Sequence, residues 1–397
     1  MIKNQTTITF SLILTILFFL LTVFLFRLQV VEGAKYQRIA ESNFVRIRRI
    51  TATRGEIYDH KYRPIVQNVP SQNLYLTSGK IKNLNALSKF LEHNFSISDS
   101  ELKDLIFKQR FKTYEEILLA DNIPYETVLI LSEELNYYPE LSFRIGSTRN
   151  YLYPNHFTGY VGRINEKEYE LYQKEDYSLN SYIGKTGLER YYEVLLRGDA
   201  QGRSLQLFED GGYIEPLNGL SLVLTIDNDL QEFVSAIFPA GMKGAIVVSD
   251  IRSGGILAYV SKPDYDPNLF MQKISPETWE YLNREEKPMM DRIIYGTYPP
   301  GSVFKPVTAG IGLDRGLVTP ETRLAFCAGG LKVGNRFFRC WYSSGHGSTS
   351  IVDALRVSCD TYFYDLSLKI NMDDFYNYVC DSHLYGRTGI DLPNERQ

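Results

Sequence analysis

The sequence predicts an α+β multi-domain chain. It has an N-terminal transmembrane helix, an elongated segment of mixed α and β character, and an α/β domain in its C-terminal half. Three observations carry this reading. The 397 residues exceed one ordinary domain, so two or three units are expected. Ile8 to Phe26 is an unbroken uncharged run of 19 residues rich in Leu, Ile and Phe. From Leu220 onward, short apolar runs alternate with helical periodicity.

The apolar run is long enough, as a helix, to cross a hydrocarbon core of ~30 Å. It ends in Phe26-Arg27-Leu28-Gln29 with no small-residue cleavage site, so a retained anchor is favoured over a cleaved signal. Lys3 lies on one side of it and Arg27, Arg46, Arg48 and Arg49 on the other. That bias does not set the orientation, because long domains translocate largely regardless of charge. The motifs described below place the bulk of the chain outside the membrane.

Gln29 to Ile50 reads as polar and helical in its first half, and Thr53 to Asp59 as a turn feeding short extended pieces. Asn83 to Asn136 carries helical periodicity, as at Leu102, Leu105 and Ile106. Tyr151 to Gly162 is aromatic and Gly-punctuated, a loop or strand. Thr186-Gly-Leu-Glu189 spells a capping box opening a helix over Arg190 to Leu196, closed by Gly198. Gly211-Gly212 and Pro216 to Gly219 have linker composition. Beyond them, Leu222 to Ile226 reads as a strand and Asn228 to Phe238 as a helix. Ala245–Ser249 and Ile256–Ser261 flank Arg252-Ser-Gly-Gly255 as a hairpin. Hydrophobic content of 44% supports packed cores, and a net charge of −4 gives no reason to expect a nucleic-acid partner.

The chemistry centres on Tyr298-Pro-Pro-Gly-Ser302-Val-Phe-Lys305-Pro306. Pro-Pro-Gly ends what precedes it, and Pro306 suits a helix start. Ser302 and Lys305, three apart, then share a helical face. A serine hydroxyl is a weak nucleophile until a base takes its proton, and a neutral lysine can be that base. Backbone N–H groups at the same helix start are candidates for an oxyanion hole. The pattern alone is weak. A second copy, Ser100-Glu-Leu-Lys103, reads as a solvated helix face. What distinguishes Ser302 is Val357-Ser358-Cys359-Asp360-Thr361-Tyr-Phe-Tyr364 downstream. Ser-x-x-Lys, then Ser-x-Asn, then Lys-Thr-Gly is the signature of penicillin-binding proteins and related β-lactamases, and here Asp360 stands where Asn is usual. Ser358 suits a proton shuttle, and Asp360 a hydrogen bond to Lys305 or to a substrate amide. The alternative for Ser358 is a helix N-cap.

Lys185-Thr186-Gly187 spells the third motif and Ser178-Leu-Asn180 the second, but they lie too close together to flank a cleft. Arg387-Thr388-Gly389 precedes a turn-like segment and is not assigned. The strand that should close the cleft is not found after Ser358, so the chain is expected to stop before its catalytic domain is complete.

With these residues the chain resembles a class B penicillin-binding protein of the elongation type. Arg54-Gly55-Glu-Ile57-Tyr-Asp59, Gly159 to Gly162 and Gly184 to Glu189 resemble landmarks of that family's non-catalytic pedestal. Gly244 to Asp250, Tyr298 to Pro306, Cys340-Trp341, Gly345-His346-Gly347, Ser358 to Tyr364 and Thr388 to Pro393 resemble those of its transpeptidase domain. His60 to Arg63 replace the Arg-Asn-Gly usual after Asp59. No glycosyltransferase domain fits between Phe26 and Arg54, which favours class B over class A.

The resemblance implies a cytoplasmic tail over 1–7, a transmembrane helix over 8–28 and a dimerisation-type pedestal over 29–218. An incomplete penicillin-binding/β-lactamase-like transpeptidase domain follows over 219–397. It implies D,D-transpeptidation of peptidoglycan stem peptides during elongation, with Ser302, Lys305, Ser358 and Asp360 catalytic and β-lactams acylating Ser302. It also implies single-pass placement in the cytoplasmic (inner) membrane with the bulk of the chain on the periplasmic or extracellular side, a polytopic glycosyltransferase partner, and no cofactor for acyl transfer. Competing readings are a catalytically incomplete scaffold and a β-lactam-binding receptor or hydrolase.

Four cysteines lie in this half. Cys327, Cys340, His346 and Cys359 give C-x12-C-x5-H-x12-C, a set able to close a tetrahedral structural Zn2+ site. A Cys327–Cys340 disulfide and buried free thiols are the alternatives. Cys380 reads as core.

Overall fold

The computed structural model describes residues 2–33, 46–49, 52–108, 116–172, 177, 181–198, 203–206, 217–271 and 274–395. The expected Gly211-Gly212 linker and the Ser178-Asn180 pair lie outside them.

The apolar run forms helix α1, Ile2–Phe26, continued by a π-helical turn Arg27–Val31. Leu12–Val31 is long and apolar enough to cross a membrane, and none of it is buried against the rest of the protein. By contact the chain divides into two compact units. One takes residues 1–237, 248–259 and 265–281; the other takes 238–247, 260–264 and 282–397.

The first unit is built on β3, Pro64–Thr77, a strand of 14 residues. It pairs antiparallel along its length with β5, Leu141–Tyr151, and over Gln72–Thr77 with β4, Glu116–Ile123. At its start it pairs with β2, Ile57–Tyr58. Pro70 falls between the β2 and β4 pairings, where its missing N–H costs no ladder bond. Helices α2, Leu84–Phe95, and α3, Asp99–Lys108, pack on this sheet. Leu87, Phe90, Leu91 and Leu102 meet Leu74, Leu76 and Ile117 in one buried core. Asn83 caps α2 by accepting the Ala86 N–H. The helical reading of Asn83 to Asn136 is therefore corrected at Glu116–Ile123. That stretch is extended because it completes the sheet edge beside β3, and tertiary pairing overrides local preference.

Three further expectations change here. Thr186 makes no side-chain cap, although it precedes the short helix Gly187–Tyr191. Glu189 is drawn instead into a buried ion-pair cluster. Its carboxylate accepts from Arg54 Nε at 2.6 Å and Arg149 Nε at 2.7 Å, while Arg54 Nη2 reaches Glu193 at 2.7 Å. The described part of the second expected linker, Leu217 to Gly219, is no free linker. The Gly219 N–H donates to the Thr53 carbonyl, and a Cβ on Gly219 would lie 1.8 Å from the Leu196 carbonyl oxygen. A Cβ on Gly55 would likewise strike the Leu220 carbonyl, at 2.0 Å. The landmark Arg54-Gly55 thus joins a buried charge to a close backbone crossing. The strand read over Leu222 to Ile226 is only Leu222–Val223, and it pairs in parallel with β2. Tyr62, where the usual Gly would stand after Asp59, adopts a left-handed φ of 60°. Asp59 holds that turn by accepting from the Lys61 and Arg63 amides.

The hairpin forms as expected, with Gly244–Ser249 paired to Ile256–Lys262. In the second unit the core gathers Ala309, Ile351, Ala354, Tyr362, Phe363 and Leu366 with Cys327, Cys340 and Cys359.

Candidate active site

Pro299-Pro300-Gly301 brings the chain to a 3-10 turn, Gly301–Phe304, which runs directly into the helix Lys305–Asp314. Gly301 has φ 59° with open space around it, so glycine is required there by backbone conformation rather than crowding. Pro306 occupies the start of the α-helix, as its missing N–H predicts. Ser302 therefore sits one turn ahead of the α-helix proper, on the 3-10 segment.

The downstream motif enters from Ser358, which precedes the helix Asp360–Lys369. The N-cap of that helix is Cys359, so the N-cap alternative for Ser358 falls away. Ser358 has φ 52°, a left-handed conformation that costs a non-glycine residue about 1–2 kcal/mol. This conformation turns both its hydroxyl and its carbonyl toward Lys305. Lys305 Nζ donates to Ser358 Oγ at 2.9 Å, to the Ser358 carbonyl at 2.8 Å and to Asp360 Oδ1 at 2.6 Å. Ser358 Oγ in turn lies 3.0 Å from Ser302 Oγ. All four expected residues converge, and the path from Ser302 to Lys305 runs through the Ser358 hydroxyl. Side chains of Lys305 and Asp360 are 12% and 21% exposed, so their attraction is only partly screened by water.

Trp341 closes the array from a second direction. Its backbone N–H donates to Asp360 Oδ2 at 2.9 Å, and its indole N–H lies 3.1 Å from the carbonyls of both Val357 and Ser358. Residue spacing gives no sign of this contact, which depends on the hairpin Gly330–Val333 and Arg336–Arg339 delivering Cys340-Trp341 to the motif. The Ser100-Lys103 copy is otherwise occupied: Lys103 pairs with Asp99 at 2.6 Å on an exposed face of α3. Lys185 pairs with Glu168.

Behind the motif, Cys327, Cys340, His346 and Cys359 place one ligand atom each within 4.8 Å of one another. All four cysteines are free thiols, so the Cys327–Cys340 disulfide is not formed. Gly345 and Gly347, with φ of 79° and 72°, turn the loop so that His346 Nδ1 lies 3.5 Å from Cys340 Sγ and 3.8 Å from Cys327 Sγ. Burial opposes ionisation of Cys327, but hydrogen bonds, those of the His346 and Gly329 amides among them, pull its thiol down to about 6. Burial and the neighbouring sulfurs push Cys359 up to about 11. Cys380 is half-buried rather than core.

Comparison with known proteins gives a consistent match. Residues 49–221 match the penicillin-binding protein dimerisation domain, and residues 244–397 match the penicillin-binding protein transpeptidase domain. The chain is 33% identical over 388 residues to the peptidoglycan D,D-transpeptidase MrdA of Haemophilus influenzae, covering 94% of this chain and 59% of that protein. It therefore spans about three fifths of that relative's length. Among solved structures, a complex between PBP2 and MreC from Helicobacter pylori matches with a TM-score of 0.75 at 26% identity, covering 89% of this chain and 68% of that one. A peptidoglycan synthase complex, described as coordinating polymerization and crosslinking, matches with a TM-score of 0.60 at 25% identity over 97% of this chain and 68% of its own.

Proposed function

Because the chain belongs to the class B penicillin-binding proteins of the elongation type, we propose that it is a serine D,D-transpeptidase that cross-links peptidoglycan stem peptides. The observation that carries this is the hydrogen-bonded series Ser302, Ser358, Lys305, Asp360. Ser302 Oγ attacks the carbonyl of the D-Ala-D-Ala peptide bond. Its proton passes across 3.0 Å to Ser358 Oγ, whose own proton passes to Lys305 in its amine form. As the C–N bond breaks, Lys305 returns the proton through Ser358 Oγ to the nitrogen of the leaving D-Ala, while Ser302 Oγ stays bonded to the acyl group. The acyl-enzyme is then taken by an amine of a neighbouring strand. Asp360 fixes Lys305 Nζ between its carboxylate and the Ser358 carbonyl, so the amine does not have to be oriented during reaction. β-Lactams, as acylating analogues, acylate Ser302.

The test is covalent labelling with a fluorescent penicillin. Stable labelling that Ser302→Ala abolishes supports the transpeptidase. Rapid loss of label marks a hydrolase. Absence of labelling in the unaltered protein marks a scaffold and removes the enzymatic proposal.

We read the thiol cluster as a structural zinc site. Tetrahedral zinc with bonds of ~2.3 Å to sulfur sets ligand atoms roughly 3.8 Å apart. The cluster's spread of 4.8 Å is close to that and needs only a small contraction. Three buried sulfurs and one imidazole, with one thiol lowered and another raised, suit a dication better than they suit one another. Cys327, Cys340, His346 and Cys359 would hold the metal. It would contribute cross-linking of the second unit's core and take no part in acyl transfer.

The division we infer is a tail over 1–7, a membrane helix over 8–28, a pedestal over 29–218 and a transpeptidase domain over 219–397. The apolar Leu12–Val31 helix and the two matched domain ranges support it. A single-pass anchor in the cytoplasmic membrane with the bulk outside follows from the substrate, which lies there. The pedestal is read as an interaction surface for a polytopic glycosyltransferase. The likeness to a synthase complex that coordinates polymerization and crosslinking supports this, and the Helicobacter complex supports a second partner of the MreC kind.

A further inference from the structure

We propose that Trp341 is a positioning residue of the acyl-transfer site: its indole N–H fixes the Ser358 carbonyl and, through it, the amine of Lys305. This rests on the transpeptidase reading above.

Lys305 Nζ has two acceptors besides the Ser358 hydroxyl, namely the Ser358 carbonyl at 2.8 Å and Asp360 Oδ1 at 2.6 Å. Trp341 holds the groups that carry both. Its backbone N–H binds the other oxygen of Asp360 at 2.9 Å, and its indole N–H is shared at 3.1 Å by the carbonyls of Ser358 and Val357. The Ser358 peptide needs such support, because φ 52° is a conformation that a serine does not keep unaided. With the indole gone, that peptide is free to relax toward an ordinary φ. Its carbonyl would swing off Lys305, and its hydroxyl off the line between Ser302 and Lys305.

Packing does not explain the tryptophan. Its ring is 66% exposed, touching mainly Tyr342 and His346 at centroid distances of 5.7 and 5.5 Å. A phenylalanine would reproduce those ring contacts and the backbone N–H, and would lose only the indole donor. That isolates the proposed role.

The experiment measures fluorescent-penicillin acylation over a range of concentrations, in membranes of cells expressing the protein from its own gene. It gives a limiting acylation rate and a half-saturating concentration for wild type, Ser302→Ala and Trp341→Phe. Trp341→Phe is expected to lower the limiting rate about tenfold, the effect of removing one shared hydrogen bond at a reacting group. The half-saturating concentration and the melting temperature are expected to stay at wild-type values. A limiting rate equal to wild type overturns the proposal. So does an altered half-saturating concentration with an unaltered rate, which would make Trp341 a ligand contact. A lowered melting temperature alongside the lost rate overturns it in favour of a general structural role. An unlabelled wild type, or a labelled Ser302→Ala, sinks the transpeptidase reading itself and is recognised before the variant is compared.

Discussion

At Asp360 both carboxylate oxygens face donors, Lys305 Nζ on Oδ1 at 2.6 Å and the Trp341 N–H on Oδ2 at 2.9 Å. An asparagine, the usual residue of the motif, has only one oxygen to offer and would turn its NH2 toward one of those donors. In this chain Asp360→Asn is therefore expected to lower the acylation rate about tenfold or more, read as penicillin labelling kinetics, even though it restores the commoner motif. The four side chains of the series were legible in the sequence, because their spacing within two short segments survives any detail of the fold. The Ser358 conformation and the indole contact were not. The first is a backbone dihedral that no residue type announces, and the second joins residues brought together by a hairpin.

The pedestal shows what an element-level reading misses. Thr186-Gly-Leu-Glu189 has capping-box spelling, yet Glu189 serves a different need: Arg54 and Arg149 are buried and require a counter-charge. Long-range charge pairing prevails over a local cap, and spacing alone does not report it. In the same way β4 has helical neighbours in sequence but a strand neighbour in space. The Glu189 cluster carries a pH dependence. Burial works to raise this carboxyl, but Arg149 and Arg54 outweigh it and hold it below its ordinary 4.5. A depressed folded-state value means that the stabilisation is fully present above the unfolded value. It is lost as pH falls from about 4.5 through the lower folded-state value. Glu189→Gln is expected to destabilise the protein by about 3–5 kcal/mol at neutral pH, because the buried Arg149 loses its partner charge and Arg54 keeps only that of Glu193. Its stability should also fall less steeply than wild type in acid. Denaturant unfolding at several pH values measures both.

Across the whole molecule the broad plan was readable: an apolar helix, a mixed segment, and an α/β half carrying Ser302 and Lys305. The cysteine spacing likewise pointed to one cluster, although only the fold decides between metal, disulfide and separate thiols. In the structure the three cysteines of the cluster sit inside the second unit's core beside Tyr362 and Leu366. If zinc ties them, a chelator should lower the unfolding temperature of the second unit and leave the first unchanged. Two separate calorimetric transitions, only one of them chelator-sensitive, would show it. A melting profile indifferent to chelation, with no zinc by elemental analysis, would leave the cluster as free thiols.

The parallel pairing of Leu222–Val223 with Ile57–Tyr58 bears on how this protein is made. A ribosome delivers residue 57 long before residue 222, so the β2 strand emerges with one flank bare and waits for most of the first unit to be synthesised. During that interval the exposed edge is a template for mispairing. Its late partner makes completion of this sheet a slow, long-loop event.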